Sequence, residues 1–91
     1  MTGRELERLL RRLGFQEDAR DHHVFTLYVG GRKVAETKTS YGTSHRTIGD
    51  RLGATMARQL HISRQFLYDL VRGDKTPDDY FAELRRRGII D

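Results

Sequence analysis

The chain holds four histidines and no cysteine, and two of the histidines, His22 and His23, are adjacent. Imidazole is the side chain whose proton affinity lies nearest neutral pH, so it can take or give a proton in a reaction run there. Arg20 and Asp21 precede the pair, and Lys38 lies at the same end of a hairpin by register. Such cations can stabilise charge developing on a phosphate, and the carboxylate can orient an imidazole. The same residues do not read as a metal centre. No His-x-x-x-His or His-Glu-x-x-His spacing occurs, no acidic cluster accompanies them, and without cysteine there is neither a thiolate zinc site nor a disulfide. No P-loop or dinucleotide fingerprint is present, so no cofactor is expected. Of the other two histidines, His45 lies in the polar stretch TSYGTSHRT, and His61 reads as a cation meeting the dipole at a helix C-terminus.

The element that positions the pair is a β-hairpin from Arg20 to Lys38, RDHHVFTLYVGGRKVAETK. Gly30-Gly31 supplies the positive-φ positions of a tight turn between strands expected at about 22–29 and 32–37. Along such a strand His22, Val24, Thr26 and Tyr28 share one face, and His23, Phe25, Leu27 and Val29 the other. Both faces are partly apolar, so alternation leaves open which is buried. It does make the two histidines alternatives to each other, since in a regular strand they point to opposite sides. A short first strand is expected within residues 15–20.

Before the hairpin comes a well-specified helix. Thr2 and Glu5 form a capping box, Leu6, Leu9, Leu10 and Leu13 make one apolar face, and Gly14 stops it. Arg4, Arg8, Arg11 and Arg12 take the remaining surface, a solvated face or a stripe that touches phosphate. After the hairpin, a second helix is expected over about 47–60. Ile48, Leu52, Met56 and Leu60 recur along it, Ala54 and Ala57 read as close-packing positions, and Gly49 and Gly53 weaken it. Ser63 is an N-cap for a third helix, about 64–72, with Phe66, Leu67, Leu70 and Val71 inward and Gly73 at its end. Thr76-Pro77-Asp78-Asp79 starts a fourth, which carries Tyr80, Phe81 and Leu84 inward and stops at Gly88.

The order α-β-β-β-α-α-α places the chain in the α+β class, with a three-stranded antiparallel sheet packed on helices. At 91 residues it reads as one domain, buries about 60–65% of its unfolded surface and has little room for a large cofactor. Residues 1–60 form the core unit and 61–91 a helical extension. Net charge is +4, a bias toward anionic partners. No run of about 18 apolar residues exists, so no membrane span is expected, and the first residues lack the apolar core of a secretory signal. A reducing cytoplasm is therefore the expected location.

A short helix, a three-stranded meander and a second helix match the double-stranded-RNA-binding-domain-like (dsRBD-like) architecture. Within it, MTGRELERLLRRLGF, then DHHVF, then GGRKV, resembles the HicA family of toxins from bacterial toxin–antitoxin pairs. The family begins with RELxxLLxxxGF, follows with a Gly-Ser-His-His-like motif entering a strand, and turns at a Gly-Arg hairpin. The resemblance covers residues 1–38 well and 47–70 loosely. It implies a metal-independent ribonuclease acting on mRNA, with one catalytic histidine and a HicB-like antitoxin as partner. The family histidine stands directly before the apolar strand residues, which here is His23, with His22 as the alternative. The chain departs from the pattern in Arg20-Asp21 for Gly-Ser, in a longer loop after Lys38, and in some 20 added C-terminal residues. Phosphate contacts are expected from Arg4, Arg8, Arg20, Arg32, Lys33 and Lys38.

The helical half supports a different class of function. Residues 56–70, MARQLHISRQFLYDL, look like a helix-turn-helix, in which Arg64, Gln65 and Tyr68 face a DNA major groove. A third reading is an RNA-binding module of the same fold without catalysis. The oligomeric state is open on all three.

Overall fold

The computed structural model describes residues 1–21, 23–39 and 47–91; two of the sequence candidates, His22 and His45, lie outside the described residues. The described residues form α1 (Gly3–Arg12), β1 (Gln16–Glu17), β2 (Val24–Val29), β3 (Arg32–Lys38), α2 (Asp50–Gln59), α3 (Arg64–Arg72) and α4 (Pro77–Arg86). The fold is α+β, with one three-stranded antiparallel sheet in the order β1-β2-β3.

Helix α1 forms as its sequence dictates. Thr2 caps it and Glu5 closes the box in both directions, with Glu5 N donating to Thr2 Oγ1 at 3.2 Å and Thr2 N to Glu5 Oε1 at 2.8 Å. Leu6, Leu9, Leu10 and Leu13 are buried, each stabilising the fold by roughly 1.5–3 kcal/mol relative to an exposed position. The turn after α1 reaches β1, which pairs Gln16 with Thr26 and Glu17 with Phe25. It occupies only two residues of the expected 15–20 stretch: Asp18 still donates its N–H across to Val24, but its side chain turns the chain into the loop described below.

Strand β2 starts at Val24, so His23 stands just outside it in a turn. Phe25 and Leu27 face the core and Tyr28 faces outward, which settles the question alternation left open. The hairpin turns at Gly30 and Gly31, with φ of 59° and 78°. Its register runs from Val29 opposite Arg32 to Val24 opposite Lys38, with one irregularity. Leu27 pairs with Ala35 and Tyr28 with Lys33, so Val34 is an extra residue, a β-bulge.

Helix α2 differs from its sequence reading. Gly53, Met56, Ala57 and the C-cap Leu60 face inward, at i, i+3, i+4 and i+7. Leu52 is 40% exposed, Ala54 is exposed, and Ile48 lies buried ahead of the helix. A repeat of four residues advances 400° and drifts 40° per turn, so positions 48, 52, 56 and 60 cannot all hold one face. Gly53 is a packing site more than a weak point. A Cβ there would fall 2.8 Å from Tyr68 Oη on α3, so the bare backbone lets the two helices close.

The helices share one core with the sheet. Leu67 and Leu70 from α3 and Tyr80 and Leu84 from α4 belong to the same buried cluster as Leu6, Phe25 and Ala35. Arg12 ties α1 to α3 by donating to the Leu70 carbonyl at 3.1 Å. The radius of gyration, 12.4 Å, matches the about 12 Å expected of a compact chain of this length. No helix among the described residues is long and apolar enough to cross a membrane.

Candidate active site

His23 is held by a loop built on two short carboxylates. Asp18 Oδ1 accepts from the backbone N–H of Arg20 at 2.7 Å and of Asp21 at 3.1 Å, the local bonding that makes aspartate a turn former. Asp18 N donates to the Val24 carbonyl at 2.9 Å, and Val24 N to the Asp21 carbonyl at 3.1 Å. Asp21 Oδ1 then accepts from His23 N at 3.0 Å. On the other side, Thr39 N donates to the His23 carbonyl at 2.7 Å, which carries the β2–β3 pairing one step past Val24 and Lys38.

The ring of His23 meets a row of polar groups. Its Nδ1 lies 3.5 Å from Thr39 Oγ1, and that hydroxyl donates to Glu7 Oε2 on α1 at 3.0 Å. Thr39 is buried and His23 half-buried. Glu7 forms an ion pair with Arg11 at 3.7 Å, and Arg11 Nε donates to Glu17 Oε1 at 2.7 Å. The Arg11 guanidinium also lies over the Phe25 ring, 5.6 Å from its centroid, a placement that adds cation–π attraction. Lys38 Nζ stands 3.6 Å from Asp21 Oδ2. One end of the hairpin therefore gathers an imidazole, the carboxylates of Glu7, Glu17, Asp18 and Asp21, and cations from Arg11 and Lys38.

Asp21 does not orient the imidazole, the role its position in the sequence suggests. Its carboxylate is spent on the His23 backbone and on Lys38. Among the described residues Thr39, expected in a polar loop, lies beside the ring. Ala35, Thr37 and Thr39 are all buried, with Thr37 donating to Gln59 Oε1 at 2.7 Å. Carrying the period-two pattern of β3 two residues further would have found Thr39.

The expected phosphate-contacting residues fall in three places. Arg4 and Arg8 are exposed on α1, and with Arg11 they occupy one stripe of that helix, about 60° wide. Arg20 and Lys38 are exposed at the histidine end of the hairpin. Arg32 and Lys33 are exposed at the opposite end, about 20 Å away at ~3.3 Å per residue, and Lys33 pairs with Glu36 at 3.1 Å.

In the helical half, α2 and α3 are joined by Leu60–Ser63. His61 takes the left-handed conformation, φ 66°, and its Nε2 donates to the Val34 carbonyl at 2.9 Å. A carbonyl only accepts, so Nε2 carries the proton. His61 thus anchors a turn to the sheet, where the sequence suggested a cation at a helix end. Ser63 Oγ caps α3 by accepting from Phe66 N at 3.1 Å. Arg64 and Gln65 are exposed on the first turn of α3, with Gln65 Nε2 donating to Asp69 at 2.9 Å. Tyr68 is turned toward α2 instead, its hydroxyl donating to Asp50 Oδ1 at 3.2 Å, and burial raises its pKa.

Among the described residues, no group of three or more histidines and carboxylates is placed to hold a metal ion. Compared with protein-family models, with curated proteins and with solved structures, the chain finds no match.

Proposed function

We propose that this chain is a HicA-like toxin, a metal-independent ribonuclease that cleaves mRNA with His23 as its general acid and base. The observation that carries this reading is the gathering at the hairpin end. The His23 ring contacts Thr39, which bonds Glu7, and the cations joined to this end are Arg11, paired with Glu7 and Glu17, and Lys38, paired with Asp21. Cleavage without a metal needs a base to take the 2′-hydroxyl proton, an acid for the leaving oxygen, and cations facing the phosphate. The α-β-β-β-α order of the first half supports the reading, since it fits a dsRBD-like core. RNA then runs from the Arg4–Arg8 stripe across Arg20 and Lys38, with Arg32 and Lys33 meeting phosphates further along the hairpin. A small HicB-like antitoxin covers this surface in a reducing cytoplasm.

The test is induction of the wild type and of His23→Ala in cells, read by growth and by RNA integrity. The wild type should arrest growth and degrade RNA, and His23→Ala should do neither while folding normally. If wild type and variant both leave RNA intact, the ribonuclease reading is wrong.

One observation favours a second reading. Arg64 and Gln65 stand exposed on the first turn of α3, behind a tight turn, as in a DNA-binding helix pair. A gel shift on duplex DNA that weakens with salt and is lost in Arg64→Ala would select it.

A further inference from the structure

We propose that Tyr28 is a stacking platform for a nucleobase, so that a single-stranded nucleic acid crosses the open face of the sheet with its bases against the central strand. This rests on the nucleic-acid part of the ribonuclease reading, but it can be measured on a strand that is not cleaved. Phe25, Leu27, Ala35 and Thr37 turn inward, which leaves Val24, Thr26, Tyr28, Lys33, Glu36 and Lys38 on the opposite face of the hairpin. Tyr28 lies on β2, the middle strand, and is 47% exposed. Its neighbour in register on β3 is Lys33, while the pairing with β1 ends two residues short of it, at Thr26. On that side the ring borders an open groove of about 300 Å³ lined by Gln16, Glu17, Asp18, Ala19 and Thr26.

A single exposed tyrosine is ordinary, but this one stands between two sets of cations. Arg20 and Lys38 are exposed at one end of the hairpin, Arg32 and Lys33 at the other. Tyr28 lies about 13 Å along β2 from Val24, the register partner of Lys38. A strand whose phosphates meet both ends has to cross the middle. There the face presents Val24, Thr26 and Tyr28, and the Glu36 carboxylate accepts from Lys33 and Thr26 at 3.1 and 3.3 Å. Among the described residues this middle offers a phosphate no cation of its own, but it offers a base an aromatic ring. Stacking needs only the π-face that every base has, and it works on single strands, whose bases are not already stacked in a duplex. The exposed amide of Gln16, at the edge of the groove, can both donate to and accept from the rim of a stacked base. The groove's carboxylates have other work. Glu17 pairs with Arg11, and Asp18 Oδ1 accepts from the backbone of Arg20 and Asp21.

The probe is a short single-stranded oligoribonucleotide with its 2′-hydroxyls methylated, which removes the nucleophile and prevents cleavage. Tyr28→Ala should weaken its binding about 5- to 150-fold, the loss expected for one stacked base. Tyr28→Phe keeps the ring and should bind like the wild type. The dependence of log K on log salt should keep its slope in Tyr28→Ala, because no phosphate contact is lost. The chain has no tryptophan, so Tyr28→Trp places a single fluorescent ring at the site. The oligonucleotide should quench it, and the same sugar–phosphate backbone stripped of its bases should not. Wild-type binding that is as tight without the bases, or as tight in Tyr28→Ala, overturns the proposal even in a protein that cleaves RNA. A wild type that binds neither strand overturns it too. Ring-dependent binding in a protein that leaves unmodified RNA intact upholds the platform and sinks the ribonuclease reading alone.

Discussion

Tyr80 is fully buried, yet it carries a hydroxyl, and the fold answers that with one acceptor. Its Oη donates to the Leu60 carbonyl at 3.1 Å, just past the end of α2, where helix carbonyls lack partners of their own. Tyr80→Phe should cost about 1–2 kcal/mol in urea unfolding, from the lost bond and the carbonyl left behind in the core. Burial also pushes the Tyr80 phenol far above the ordinary value of 10.0. The folded state therefore holds the proton where the unfolded chain would release it. The associated stability is complete below about pH 10 and is lost as pH rises beyond it. Phenolate absorbance should show one of the four tyrosines silent until the protein unfolds, and Tyr80→Phe should remove that silent group.

At the scale of elements, the α2–α3 turn turns on His61. A side chain in the left-handed region costs about 1–2 kcal/mol where glycine costs nothing, and here the bond to Val34 offsets it. His61→Ala keeps the strain and loses the bond, while His61→Gly loses both. His61→Ala should therefore be the less stable of the two, by about 1 kcal/mol in thermal or urea unfolding. The ends of α1, α3 and α4 were legible in the sequence because caps and glycine stops are local chemistry, as with Thr2, Ser63, Gly73 and Thr76. The buried face of α2 was not. Leu52 looks apolar and in step, but the α3 contact selects Gly53, and a glycine gives no signal of burial. His61 was misread for the same reason, since its partner sits 27 residues away.

For the whole molecule, the net charge of +4 matters through its distribution. If RNA crosses the histidine end of the hairpin, Arg20→Ala and Lys38→Ala should each flatten the dependence of log K on log salt. The slope should fall by about 0.7 for every single-strand phosphate contact removed. Arg32→Ala and Lys33→Ala, some 20 Å away, should do so only with RNA long enough to span the hairpin. The imidazole end of the site was legible as residue types in a row, His23 with Arg20, Asp21 and Lys38. Glu7, Arg11 and Thr39 join it only through folding, because α1 and the end of β3 lie far apart in sequence. The bulge at Val34 has a consequence of another kind, for the order of assembly. A hairpin of this size closes in microseconds from its own residues, but here the carbonyl of the bulged residue also accepts from His61. That donor comes from the turn after α2, so the hairpin is completed only when the helical half docks. Its last hydrogen bond belongs to tertiary folding, and the two halves of the chain mature together.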